Sequence, residues 1–232
     1  MPTRVAVVVP FRDRGADPFR VANLARVEAH WLDSGIPVHV VGDGLGDTAQ
    51  FNRHAAYNRG RQIAGDPDVI VYAESDMLID YPQVWEAIRL ASEAPRLVVP
   101  FTSYRYLSYA DSAKVRAGSA PDVFAPESVR DNGEAVGAIS VVSRATLDMA
   151  GQWDESFAGN WYDDTAMARA FEVAAGPTRW VNGPAWHLYH LPGWEGNHLT
   201  AEDRAATAAN RMRCRRYMAA ATADEIRALT CG

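Results

Sequence analysis

The sequence contains only two cysteines, Cys214 and Cys231, among 232 residues. Two thiols, one of them next to last, cannot build a disulfide framework, and such sparing use fits a reducing compartment. Positive charge is not in excess either. The formal net charge is −6 and the isoelectric point is near 5.5. That excludes a generic coat for nucleic acid but leaves room for a local basic patch. No apolar run approaches the roughly 20 residues needed to cross a bilayer. The N-terminus passes at once into Arg4-Val5-Ala6-Val7-Val8-Val9-Pro10, too short and too strand-like for a secretory signal. A soluble, cytoplasmic protein with no membrane partner is expected. There is no internal repeat and no low-complexity linker. What is there is 48% hydrophobic, enough for one globular domain with a sizeable core.

Strands and helices alternate along the chain. Val5–Val9, Ile36–Val41, Val69–Ala73 and Leu97–Pro100 are β-branched or apolar runs that predict strands. Between them Pro18–Ser34, Phe51–Ala64 and Tyr81–Ala94 read as helices, with Pro18 near a first turn. Phe101–Asn132 breaks the rhythm. It carries Tyr104, Tyr106, Tyr109, two prolines and mixed charge, and reads as a long functional or mobile loop. Glu134–Val142 resumes as a strand. Ser143 then looks like the N-cap of a short helix to Ala150. A helix follows the Asp163-Asp164 pair through Ala174, Thr178–Val181 is a strand, and Ala185–His190 leads to a turn. The tail, Ala201–Ala221 and Ala223–Leu229, is helical. The alternation predicts an α/β fold, a mostly parallel Rossmann-like sheet flanked by helices.

Chemistry gathers at one strand end. Val69–Ala73 is an apolar run that ends in Glu74-Ser75-Asp76. Ligands of open α/β sheets lie beyond the carboxyl ends of such strands. Carboxylates there suit a hard divalent cation that bridges protein to phosphates. Pro10-Phe11-Arg12-Asp13-Arg14 lies at the end of the first strand, either a solvated loop with surface arginines or a place where forked guanidinium donors can clamp a diphosphate. His187 and His190 are three apart near another strand end. If both converge with Asp76, they form a two-histidine, one-carboxylate site with open positions, suited to Mn²⁺ or Mg²⁺ beside phosphate. His198 is an alternative ligand. Asp163 and Asp164 are candidates for the base that deprotonates an acceptor hydroxyl. Arg211, Arg213, Arg215 and Arg216 make a basic cluster in the tail, either a solvated helix face or a contact for an anionic acceptor such as DNA.

These stretches together resemble the β-1,4-galactosyltransferases. Val5–Arg14 is similar to that family's Pro-Phe-Arg-Asn-Arg segment, with Asp13 in place of Asn. Phe51-Asn52-Arg53 resembles its Phe-Asn-Arg at a helix start, and Glu74-Ser75-Asp76 stands where it has Asp-Val-Asp. Ala135–Ser143, Gly151–Phe157 and Gly159–Asp164 resemble the region leading into its Trp-Gly-Gly-Glu-Asp. His187–His190 falls where it has Met-x-x-His, so His187 departs from the family by replacing a thioether with a nitrogen. The five motifs run in the family's order across Val5–His190. They do not cover Phe101–Asn132 or the tail.

The resemblance implies a GT-A fold, a single domain, and metal-dependent inverting transfer from a nucleotide sugar, UDP being the favoured nucleotide. It divides the chain into residues 1–100, a nucleotide-binding half, residues 101–200, an acceptor and catalytic half, and residues 201–232, a helical tail. Donor binding is expected from Pro10, Phe11, Arg12, Arg14, Phe51, Arg53, Glu74, Ser75, Asp76 and Trp161, and metal binding from Asp76, His187 and His190. The chain is one residue shorter than the family before the acidic pair. Anchoring on Trp161 makes Asp164 the base, and anchoring on Arg169 makes it Asp163. The acceptor is a glycan or a hydroxylated nucleobase in DNA. Two other readings stand beside this one: a non-catalytic module that binds nucleotide sugar or glycan, and a nucleotidyltransferase.

Overall fold

The computed structural model describes residues 3–46, 48–131, 135–193 and 196–231. The first half alternates as expected: β1 Val5–Pro10, α1 Arg20–Asp33, β2 Val38–Val41, α2 Arg53–Ile63 and β3 Val69–Ala73. Next come β4 Met77–Ile79, α3 Tyr81–Glu93 and β5 Leu97–Val99. The second half contains β6 Ser103–Tyr106, α4 Tyr109–Arg116, a single 3-10 turn at Pro121–Val123, β7 Ser128–Asp131, β8 Ile139–Ser143 and α5 Arg144–Ala150. It closes with α6 Asp163–Ala175, β9 Arg179–Trp180, β10 Pro184–His187, α7 Ala201–Ala219 and α8 Ala223–Thr230.

Two sheets form among the described residues. The larger has the order β2-β1-β3-β8-β5-β9. β1 pairs in parallel with β2 and β3, and β5 with β9, while β8 runs antiparallel to β3 and β5. The smaller has the order β4-β10-β6-β7. The stretch Phe101–Asn132, read from sequence as an irregular loop, therefore holds two strands and a helix. Its strands are four residues long and of mixed polarity, so nothing in their local pattern marks them. They exist because β10, some 80 residues on, pairs with β6. The strand expected over Glu134–Val142 occupies Ile139–Ser143; Asn132 and Glu134 lie outside the described residues.

Local chemistry explains the boundaries that matter for the site. β3, Val-Ile-Val-Tyr-Ala, is buried throughout, as expected for a central strand covered on both faces. The Asn52 side chain caps α2 by accepting from Ala55 N at 2.9 Å. Gly60 lets α2 settle onto β1, since a Cβ there would lie 2.3 Å from a Val8 methyl. Ser143 caps α5 as its sequence implied. Thr200 and Asp203 form a capping box that starts α7. The tail is fastened by a buried network in which Asp154 accepts from Arg213 and from Tyr217 Oη at 2.7 Å.

Candidate active site

The carboxyl ends of the strands open on a cleft of about 390 Å³. After β3 the chain turns through Glu74-Ser75-Asp76 into β4. β4 pairs antiparallel with β10, His187 opposite Met77, and Leu188 N donates to Asp76 O at 2.8 Å. That register brings the histidines to the acidic turn across more than a hundred residues of sequence. His190 Nε2 lies 3.2 Å from Asp76 Oδ2, His187 Nε2 lies 3.9 Å from Asp76 Oδ1, and the two Nε2 atoms are 3.1 Å apart. One ligand atom from each residue falls within 4.8 Å of the others.

This trio fits a divalent cation. Asp76 is 2% exposed, and its Oδ1 has no hydrogen-bond partner among the described residues. His190 Nδ1 approaches Leu191 O at 2.7 Å. A carbonyl only accepts, so Nδ1 carries the proton and Nε2 turns its lone pair inward. Burial pushes the His187 imidazole down to about 4, against the pull of Asp76, so this imidazole is neutral near pH 7. Burial alone would raise the Asp76 carboxyl, but His187, His190, Arg20 and Arg53 outweigh it and hold Asp76 below its ordinary value. Imidazole and carboxylate together suit Mn²⁺ or a related divalent ion.

The second group is the turn Trp161-Tyr162 and the start of α6. Both residues have positive φ, 76° and 71°. Such a conformation costs non-glycine residues roughly 1–3 kcal/mol each and collects at functional sites. The turn sends the two aspartates different ways. Asp163 is 3% exposed and its Oδ2 accepts from Arg53 Nε at 2.9 Å and Nη2 at 2.6 Å. Arg53 also pairs with Glu74. Burial would raise Asp163, but Arg53 and His54 hold it low. Asp164 lines the cleft and, among the described residues, accepts only from Thr165, its neighbour. Burial raises its carboxyl, and Asp163 adds to the rise. Gly137 makes room for it, because a Cβ there would fall 2.5 Å from Asp164 Oδ2.

Of the residues expected to bind donor, Pro10, Phe51, Arg53, Glu74, Ser75, Asp76 and Trp161 line this cleft, whereas Phe11, Arg12 and Arg14 do not. The Arg12 fork is taken by buried Asp43, at 2.9 and 3.1 Å, and by Gly46 O and Ala49 O. Arg14 reaches Gln50 and Asp203 at 3.2 and 3.3 Å, joining the β1 turn to α7. Sequence reasoning missed Arg20 and Asp17. Arg20 Nη1 lies 3.8 Å from Asp76, and Asp17 accepts from Leu191 N at 2.8 Å, pinning the His190 loop. A signal existed: Arg20 is a cation in the first turn of α1, against the helix dipole. His198 contacts Pro192 O at 2.8 Å, outside the metal trio. The basic cluster of the tail is not one surface, since Arg213 turns inward to Asp154 while Arg211, Arg215 and Arg216 face solvent. Nothing in that arrangement supports a DNA acceptor. No helix among the described residues is long and apolar enough to cross a membrane.

No protein-family model matches the sequence, and no curated protein matches it. Solved structures do. The catalytic domain of Drosophila β1,4-galactosyltransferase 7, solved with xylobiose, superposes with a TM-score of 0.53 at 16% identity, over 96% of this chain and 84% of that one. The fold is GT-A. GalNAc-T7, solved with UDP, GalNAc and Mn²⁺, gives 0.51 at 11% identity, over 91% of this chain but only 47% of that one. At these identities the likeness carries the GT-A fold and no more, so activity has to be argued from the cleft.

Proposed function

We propose that the protein is a metal-dependent, inverting glycosyltransferase, moving a sugar from a nucleoside diphosphate sugar, UDP first among the candidates, to a hydroxyl of a saccharide acceptor. One observation carries this reading: an Asp-His-His cluster and an accessible carboxylate, Asp164, which has no ion pair with arginine among the described residues, line the same cleft of a GT-A fold. The xylobiose, UDP and Mn²⁺ of the structural neighbours support it. Residues 1–100 supply the donor wall in this reading and residues 101–200 the acceptor side. The two unpaired cysteines favour the cytoplasm.

Asp76, His187 and His190 would hold Mn²⁺ or Mg²⁺, whose charge offsets that of the diphosphate leaving group. Arg20 stands beside that trio and takes the role expected of Arg12 and Arg14. Pro10 and Phe51 form part of the donor wall. Arg53 holds Asp163 and Glu74 in place, so the anionic floor of the cleft is oriented before substrate arrives. Asp164 is the general base. It accepts the proton of the acceptor hydroxyl as that oxygen attacks the anomeric carbon and the bond to the diphosphate oxygen breaks. One carboxylate suffices for such a direct displacement. The raised Asp164 carboxyl is a better base than an ordinary aspartate.

The test is a screen of nucleotide sugars and saccharide acceptors with Mn²⁺, reading nucleoside diphosphate release, followed by Asp164→Asn and Asp163→Asn. Asp164→Asn should bind donor normally and lose about 10²–10⁴ in transfer. Full transfer by Asp164→Asn would remove the base from that position. Donor binding without transfer or hydrolysis in the wild type would mark a binding module, and pyrophosphate release a nucleotidyltransferase.

A further inference from the structure

β7 has no buried residue, and among the described residues it is the outer strand of the small sheet, paired only with β6. Core packing therefore does not account for its side chains. One of them, Arg130, is opposite Tyr104 in the ladder and lines the cleft. Its guanidinium stands over the Tyr106 ring, 5.3 Å from the centroid. Tyr106 in turn packs 5.1 Å, ring to ring, from His187. Arg130 is thus one aromatic ring removed from the candidate metal ligands.

The three arginines of the cleft differ in their partners. Arg53 is held by Asp163 and Glu74. Arg20 lies 3.7 Å from Asp17 and 3.8 Å from Asp76. Arg130 has no carboxylate within ion-pair distance among the described residues, only the face of Tyr106. Stacking on an aromatic ring fixes the plane of a guanidinium and leaves its N–H edge free. That edge matches two oxygens of a phosphate. A pre-oriented fork, unpaired among the described residues, in a cleft lined by four carboxylates, Glu74, Asp76, Asp163 and Asp164, is the group such a cleft needs to accept an anion.

We infer that Arg130 is a donor-binding residue whose fork takes the diphosphate of the nucleotide sugar from the small-sheet side, while Arg20 approaches from α1. The inference rests on the transferase reading and adds a residue outside every motif that carried the family resemblance. Binding of UDP, GDP and uridine, each with Mn²⁺, is measured by calorimetry for the wild type, Arg130→Ala and Arg130→Lys. Wild type should bind a nucleoside diphosphate. Arg130→Ala should bind it about tenfold more weakly, the loss of one charge-assisted contact, with Lys restoring part of it. Binding of Mn²⁺ alone and the melting temperature should not move. Equal nucleotide affinity in wild type and Arg130→Ala overturns the inference and leaves the transferase reading intact. So does a loss matched by a fall in Mn²⁺ affinity or melting temperature, which would make Arg130 structural, or a rise in acceptor KM alone. If the wild type binds neither UDP nor GDP, the transferase reading itself falls.

Discussion

In the six-stranded sheet β3 and β8 are buried at every residue, whereas in the four-stranded sheet β7 is exposed at every residue and β6 and β10 are mixed. The two sheets meet at Glu74-Ser75-Asp76, where β3 passes into β4. The central strands β3 and β8 of the large sheet are held by apolar packing on both faces, and strand ends of that sheet deliver side chains to the cleft. The small sheet turns His187, Tyr104, Tyr106 and Arg130 into that cleft. Burial accounts for β3 and β8, and in the small sheet for β4; β6, β7 and β10 are less buried and place side chains along the cleft. Substitutions should therefore separate stability from ligand binding along this line.

The largest effect is expected in the core of the large sheet. Phe171 on α6 is fully buried and packs against Trp153. Phe171→Ala should cost about 3–5 kcal/mol of unfolding free energy, measured by urea titration, with donor affinity of the remaining folded protein unchanged. A comparable loss of donor affinity would blur the division. Next in size, His187→Gln should weaken Mn²⁺ binding at least about tenfold, toward a hundredfold, on the scale by which altered metal shells act, while the metal-free melting temperature stays near that of the wild type. A normal Mn²⁺ affinity would take His187 out of the site.

The smallest effect is a pH dependence on the large-sheet side. His30 stacks on Tyr81, and burial lowers its imidazole to about 4. Its folded value lies below the unfolded value near 6.5, so the unfolded chain takes the proton first as pH falls. Stability from a neutral His30 is present above pH 6.5 and is lost as pH falls toward 4. Between pH 6.5 and 5.5 this amounts to about 1 kcal/mol. His30→Gln should flatten the slope of unfolding free energy against pH in that window; an unchanged slope would assign it to other histidines.

Much of the large sheet was legible because its signals are local. Val69–Ala73 is a strand with the bounds its apolar run implied, and Ser143 caps the helix it precedes. The small sheet was not legible, since β4, β6 and β7 are three or four residues long and owe their existence to partners far away in sequence. The arginines teach the same point from the side of the site. Arg12, Arg14 and Arg53 looked equivalent beside strand and helix ends. Asp43 takes the first, Gln50 and Asp203 hold the second, and only the third lines the cleft. A guanidinium goes to whichever carboxylate the fold brings near, and sequence spacing does not say which one that is.

By itself the sequence determined the α/β alternation, the acidic strand end at Glu74 and Asp76, the His187–His190 pair and the adjacent aspartates, because residue type and short spacing dictate strands, caps and ligand chemistry. Only the tertiary structure decided that β10 pairs with β4 and so carries both imidazoles to Asp76. It also decided that Arg53 pairs with Asp163 and not with Asp164, though both line the cleft, and that Arg130 comes to rest over Tyr106. Each of these depends on groups between about 20 and 110 residues apart meeting at van der Waals or hydrogen-bond distance, and that proximity is set by the packing of the whole chain.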